Sequence, residues 1–205
     1  MHHDAVIFDI DGTLWDASKT SADGWNTGLK MLGIDHKISA AELRSVTGNP
    51  YETCIELLLP GLLSEYPSLL QTLNECEMAA INSRGGDFYI GALEGIRELS
   101  KDYKIFLVSN SQDWYMDLFL RFSKTRKLLA GYDCHGASNL SKDQMIHRMM
   151  YDHHLHNPVY IGDTAGDETS AKLAGVEFIH VSWGFGRPYS VTKSVGKFSD
   201  LVEYL

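Results

Sequence analysis

The sequence predicts an α/β protein: a doubly wound parallel sheet with an all-helical subdomain inserted after its first strand. Two textures in the chain carry that expectation. Residues 5–10, and then everything from about residue 88 onward, alternate short apolar runs with patterns of helical period. Such strand, helix, strand repetition builds a parallel sheet covered by helices on both faces. Residues 15–84 carry helical signals without a convincing strand, and one crossover helix needs far fewer residues than that. The chain therefore divides into a core of residues 1–14 and 88–205 and a cap of residues 15–87.

Taken in order, Ala5 to Ile10 is the first strand, and it runs into "FDIDGTLWD", Phe8 to Asp16. In the cap, Ala22, Trp25, Leu29 and Leu32 form one apolar stripe, and Ser39 with Glu42 has capping-box spacing. Asn49-Pro50 reads as a cap followed by a first-turn proline. Leu57 to Leu70 is leucine-rich but broken by Pro60, Gly61, Glu65 and Pro67, so it reads as two helix ends and a turn. Leu69, Leu73, Cys76 and Ala80 continue a last cap helix. The natural hinges are Gly12 to Ser21 and Arg84 to Gly91, the latter containing "GGDFYIG". Beyond them, Leu93, Ile96 and Leu99 mark a helix, Lys104 to Ser109 a strand, and Trp114, Leu118 and Phe122 a helix. Tyr132 to His135, Pro158 to Ile161 and Val176 to Val181 complete the strands, with a helix through Met145, Ile146 and Met149 before the fourth.

With 205 residues and 44% hydrophobic content the chain can bury a sizeable core. A net charge of −9 argues against a nucleic-acid backbone or an anionic membrane as partner, since both need a basic surface. An anionic substrate would need local positive charge. Cys54, Cys76 and Cys134 are odd in number, scattered and without metal-ligand spacing, which points to reduced thiols in a cytoplasmic protein. No apolar stretch reaches membrane-spanning length, and the N-terminus lacks a signal-peptide pattern.

In open parallel sheets ligands bind outside the carboxyl ends of the strands, and four polar stretches fall there. The first strand ends in Asp9 and Asp11, the second in "VSNS", Val108 to Ser111, and the fourth in "IGDTAGD", Ile161 to Asp167. Lys142 opens the helix before the fourth strand. Each has a bland reading: an Asp-Gly turn, a helix cap, a solvated lysine, a favourable first-turn charge. A hydroxyl with free amides at a helix start is also a phosphate cradle. Jointly, carboxylates converging on one mouth would repel one another unless a cation were present. Mg2+ suits such a set, because it prefers oxygen ligands and is commonly held by one or two carboxylates plus substrate phosphate. No Cys or His lies at these turns to favour zinc.

"DIDGTLWD", the serine of "VSNS", Lys142 and "GDTAGD" together resemble the four motifs of the haloacid-dehalogenase superfamily of phosphohydrolases. The helical insertion resembles that family's small cap, and "VSWGFGRP" followed by "FSDLVEYL" is similar to its phosphoglycolate-phosphatase-like branch. The resemblance implies a Rossmann-like core, a Mg2+ cofactor and hydrolysis of a small phosphorylated metabolite by a monomer or small homo-oligomer. It implies Asp9 as nucleophile and metal ligand, and Asp11 as general acid and base with only its backbone carbonyl on the metal. Asp163 would complete the metal site, with Asp167 outside it or bridged by water. Ser109, the Asn110 amide and Lys142 would hold the phosphoryl oxygens. The family often carries Lys-Pro where this chain has Lys142-Asp143, so Lys124 and Lys127 compete for the lysine role. The Asp9, Asp11 pair speaks against the dehalogenase branch.

Substrate choice falls to the cap. "VTGNP", Val46 to Pro50, either reaches over the site with Thr47, Gly48 and Asn49 or only links two helices. Arg44 and Trp15 are weaker candidates for substrate contact. His153, His154 and His156 read as a polar helix end, away from the mouth. Two alternatives to a phosphatase stay open: a sugar-phosphate mutase of the same fold, and a catalytically idle binding or regulatory protein.

Overall fold

The computed structural model describes residues 3–190 and 193–205. Among the described residues eight strands form: β1 Ala5–Phe8, β2 Trp15–Asp16, β3 Asp87–Phe88, β4 Lys104–Ser109, β5 Leu129–Cys134, β6 Pro158–Gly162, β7 Glu177–Val181 and β8 Ser194–Val195. Six of them build one sheet in the order β5-β4-β1-β6-β7-β8. Every pairing in that sheet is parallel. The first strand is thus central, and the chain leaves it in opposite directions through β4 and β6.

Strand period sends alternate residues to opposite faces, and the core divides accordingly. Val6, Phe8, Ile105, Leu107, Val159 and Ile161 pack on one face with Ile96, Phe119 and Leu201. Ala5, Ile7, Phe106, Val108 and Tyr160 pack on the other with Met145, Ile146 and Ala171. All four residues of β1 are fully buried, each large apolar side chain contributing about 1.5–3 kcal/mol. This is why β1 reads as an uninterrupted apolar run.

Five helices follow β2: α1 Ser18–Met31, α2 Ala40–Val46, α3 Tyr51–Leu58, α4 Leu62–Glu65 and α5 Leu69–Arg84. They enclose a core of their own, with Trp25, Leu29, Ile55, Leu69 and Leu73 at its centre. The remaining helices are α6 Ala92–Leu99, α7 Asp113–Ser123, α8 His135–Ser138, α9 Lys142–His153, α10 Ala165–Ala174 and α11 Phe198–Tyr204. Among the described residues no helix is long and apolar enough to cross a membrane.

Several boundaries differ from the sequence expectation for local reasons. The first strand stops at Phe8, because the Ile10 carbonyl turns to accept the amides of Thr13, Leu14 and Trp15 at 3.2, 2.8 and 3.2 Å. The strand expected at Tyr132 to His135, β5, begins earlier, at Leu129, which pairs with Ile105 across a register shift that skips Ala130, and it ends before His135, which opens α8. Pro50, with φ −57° and ψ 150°, caps α3, because the Asn49 side chain donates back to the Val46 carbonyl at 2.7 Å. The Leu57–Leu70 stretch contains a further single-turn helix, α4, entered through Gly61 in the left-handed region. The two connections into the helical region pair as an antiparallel ribbon, Trp15 with Phe88 and Asp16 with Asp87. In α5 the buried stripe is Leu69, Leu73, Glu77 and Ile81, so Glu77 occupies the place expected of Cys76. Gly24 of α1 lets this happen: a Cβ there would lie 2.6 Å from Glu77 Cα, so a bare backbone meets the glutamate's side of α5.

Candidate active site

The carboxyl ends of β1, β4 and β6 and the first turn of α9 converge on one buried cluster. Lys142 Nζ donates to Asp9 Oδ1 at 2.9 Å and to Asp167 Oδ1 at 2.6 Å. Carboxylate oxygens of Asp9, Asp163 and Asp167 lie within 4.8 Å of one another. All four side chains are buried. Lys124, the C-cap of α7, and Lys127, in the turn after it, are exposed, so the lysine in this cluster is Lys142. Its position follows from capping: the Ser141 N–H donates to Gln144 Oε1 at 3.0 Å, starting α9 where its first residue reaches β1.

Asp167 is an anchor. Its Oδ2 accepts from the Asp163 and Thr164 amides at 3.2 and 2.9 Å and from the Thr164 hydroxyl at 2.7 Å, while Tyr160 OH reaches Oδ1 at 3.4 Å. In return Thr164 Oγ1 accepts the Asp167 amide at 3.2 Å, a reciprocal cap that starts α10. Burial pushes the Asp167 pKa up, but the Lys142 ammonium and the Thr164 donors outweigh it, leaving the group below the ordinary carboxylate value. Burial disfavours the Lys142 ammonium too, and its two carboxylate partners more than restore it.

Asp163 is held differently. Its Oδ2 accepts the Phe185 and Gly186 amides at 2.6 and 3.3 Å, and the Thr13 hydroxyl stands 3.4 Å from Oδ1. Gly12, at φ +77°, turns the chain past it so closely that a Cβ would sit 2.2 Å from Asp163 Oδ2. Burial first, and then the Asp167 charge, lift Asp163 to about 7. Burial also drives Asp9 well above the usual range, against the pull of Lys142. Two hard oxygen donors with raised pKa values and a third carboxylate beside them form the kind of set a divalent cation relieves, so the residues fit Mg2+. Four donors already engage Asp167, which suits it to orienting Lys142 and the Asp163 loop rather than to direct ligation.

Asp11 stands in a separate network. The Trp15 indole N–H donates to Tyr115 OH at 3.0 Å, and Tyr115 OH donates to Asp11 Oδ1. Burial raises Asp11 to about 7; the Tyr115 bond opposes this and the nearby Glu77 charge adds to it. A carboxyl poised there can both give and take a proton near neutral pH.

A small cavity opens over these groups. Asp9, Asp11, Ser109 and Asn110 line its floor, and Thr47, Gly48 and Asn49 line its roof. The roof touches the floor where Asn110 Nδ2 donates to the Gly48 carbonyl at 2.7 Å, which leaves the Asn110 amide for a ligand. Ser109 is buried, and its hydroxyl accepts the Ser111 amide at 3.2 Å. Trp15 is no cavity residue: it is fully buried against Phe88, Tyr115 and Phe119, with ring centroids 5.6, 5.7 and 5.4 Å away. Arg44 pairs with Asp16 at 2.6 Å and lies over the Phe185 ring instead of lining the cavity. His153 packs on Phe106, and His154 is the left-handed cap of α9, at the amino end of the sheet.

Sequence reasoning missed Tyr115, Glu77 and the Phe185 and Gly186 amides. Tyr115 carried the weak signal of lying beside Trp114 on a helix that starts where β4 ends; the amides carried none, being backbone.

This fold and site define a class of enzyme. Residues 6–181 match the haloacid dehalogenase-like hydrolases, and the chain belongs to that family. Two curated relatives are each called phosphoglycolate phosphatase. The one from Psychrobacter arcticus is 25% identical over all of this chain and 96% of its own length. The one from Aquifex aeolicus is 23% identical over 98% of this chain and 95% of its own. A haloacid dehalogenase-like family hydrolase from Streptococcus pneumoniae has the same fold, with a TM-score of 0.86, 22% identity and 98% of each chain covered.

Proposed function

We propose that the protein is a Mg2+-dependent phosphatase of small phosphate monoesters that works through a phosphoaspartyl intermediate on Asp9. The observation that carries this reading is the pairing of Asp9 with Lys142 in the same buried cluster as Asp163, while Asp11 is held apart by Tyr115. Asp9 and Asp163, with the Asp11 carbonyl, would hold Mg2+, which when bound neutralises charge on the transferring phosphoryl group.

Asp9, pinned through Oδ1 by Lys142, attacks phosphorus, and the bond from phosphorus to the ester oxygen breaks. Asp11 gives its proton to the departing alkoxide, which leaves as the alcohol. Water then attacks the aspartyl phosphate, Asp11 takes the water proton, and the Asp9–phosphorus bond breaks to release phosphate. One hard displacement becomes two easier ones. Lys142, the Ser109 hydroxyl and the Asn110 amide hold the equatorial oxygens, which is where most of the rate gain in such transfers arises. The curated relatives, named for a small phosphate ester, support this class of substrate.

The test is phosphate release from a generic aryl phosphate. Turnover with Mg2+ that stops with chelator and returns with added Mg2+ is the expected outcome. No release across a broad ester panel would instead favour an idle binding protein of this fold.

A further inference from the structure

The cavity contains a group that the phosphatase chemistry does not use. Glu77 is buried in the wall of the cavity, where Trp25 Nε1 donates to its Oε2 at 2.7 Å. Other polar atoms of the same wall are unmatched. Ser18 Oγ, Tyr51 Oη, Ser111 Oγ and Trp114 Nε1 are buried without a hydrogen-bond partner in the protein, and all four residues line the cavity. Buried polar groups left so are costly, about 1–3 kcal/mol each, which a ligand with matching groups recovers.

The donor and acceptor types restrict that ligand. A carboxylate such as Glu77 only accepts, an indole N–H only donates, and a serine hydroxyl does both. Among the described residues no Lys, Arg or His lines the cavity. Lys142 is engaged by Asp9 and Asp167 at the phosphoryl end, and Arg44 by Asp16. A substrate carrying a carboxylate beside its phosphate would meet the Glu77 charge with no cation to offset it. An ammonium could donate to Glu77 but could not accept from Trp114. Hydroxyl groups satisfy both.

We infer that the physiological ester is a phosphate of an uncharged polyhydroxylated alcohol, a polyol or sugar phosphate, selected by Glu77, Ser18, Ser111 and Trp114, and not a phosphorylated hydroxy acid. The inference rests on the phosphatase reading and narrows it. Burial raises the Glu77 pKa, so the bias against a carboxylate operates where Glu77 is ionised, while its pairing with hydroxyls holds in either state.

The experiment compares kcat/KM for glycerol phosphate, a hexose phosphate, phosphoglycolate and an aryl phosphate. The best polyol or sugar ester should exceed phosphoglycolate by at least about tenfold, the discrimination expected when a site built to pair hydroxyls meets a ligand that lacks them. Glu77→Gln keeps an acceptor for Trp25 but removes the charge, and the ratio of polyol to phosphoglycolate turnover should fall about tenfold. Ser18→Ala should lower the ratio of polyol to aryl turnover. Ratios within one preparation are unaffected by a misfolded fraction. Turnover of the aryl ester with phosphoglycolate preferred, or ratios unmoved in both variants, overturns the inference alone. No release from any ester overturns the phosphatase reading together with it.

Discussion

Lys142 Nζ lies 2.6 Å from Asp167 Oδ1, with both side chains buried. This ion pair joins the start of α9 to the start of α10 beyond the carboxyl end of the sheet's central strand, and through Lys142 it reaches Asp9, the proposed nucleophile.

Breaking one side of a buried pair leaves an uncompensated charge, which costs about 3–5 kcal/mol. Asp167→Asn leaves Lys142 paired with Asp9 but takes the charged acceptor from the Lys142 and Thr164 donors, and is expected to lower the urea midpoint. Lys142→Met, which removes the cation from both carboxylates, should be at least as damaging, because Asp9 and Asp167 then face each other. Equilibrium unfolding of the two variants checks this; a loss under about 1 kcal/mol in both would show that the cluster is not paired as described.

Gly12 is predicted to tolerate no side chain. Its φ of +77° and the 2.2 Å separation between a would-be Cβ and Asp163 Oδ2 act together. Gly12→Ala should cost about 1–3 kcal/mol in backbone strain and displace the Asp163 carboxylate, so that Mg2+-dependent turnover falls further than stability does. Isothermal titration with Mg2+ alongside thermal unfolding separates the two effects.

The Glu77 carboxyl titrates above its ordinary value of 4.5 because it is buried, with the Trp25 indole donor and nearby hydroxyls only partly opposing that. The folded state therefore holds this proton to a higher pH than the unfolded chain does. Its favourable contribution is complete below the unfolded pKa and is lost as pH rises through the folded one. The stability gap between Glu77→Gln and wild type should accordingly widen in the variant's favour from about pH 4 towards neutrality. Urea midpoints of both proteins over that range are the measurement, and a gap that stays flat would contradict the placement. A buried acid that weakens the fold at neutral pH is what a group kept for binding looks like.

Much of the site was legible because its chemistry sits at strand ends. Asp9, Asp11, Ser109, Lys142, Asp163 and Asp167 all lie within a few residues of an apolar run or a helix cap, so sequence adjacency stands in for spatial position. Glu77 was illegible for a tertiary reason: Gly24 brings the α1 backbone onto α5 and rotates the buried stripe one residue past the apolar Cys76. Tyr115 looked like another core aromatic beside Trp114, and nothing local marks the tyrosine that reaches Asp11. The β2–β3 ribbon has two residues per strand, too short for any alternation to register. The Phe185 and Gly186 amides belong to a loop more than twenty residues from the carboxylate they bind.

The most direct test of the account is to trap the covalent intermediate on Asp9. An aryl phosphate has a good leaving group, so its displacement needs little help from an acid, whereas the second step still needs a base. In Asp11→Asn, acid quench of a single turnover with Mg2+ should therefore show a phosphoryl group on the peptide containing Asp9, and Asp9→Asn should show neither label nor turnover. Steady phosphate release without label on that peptide, or with the label on another residue, would contradict the assignment of Asp9 as nucleophile.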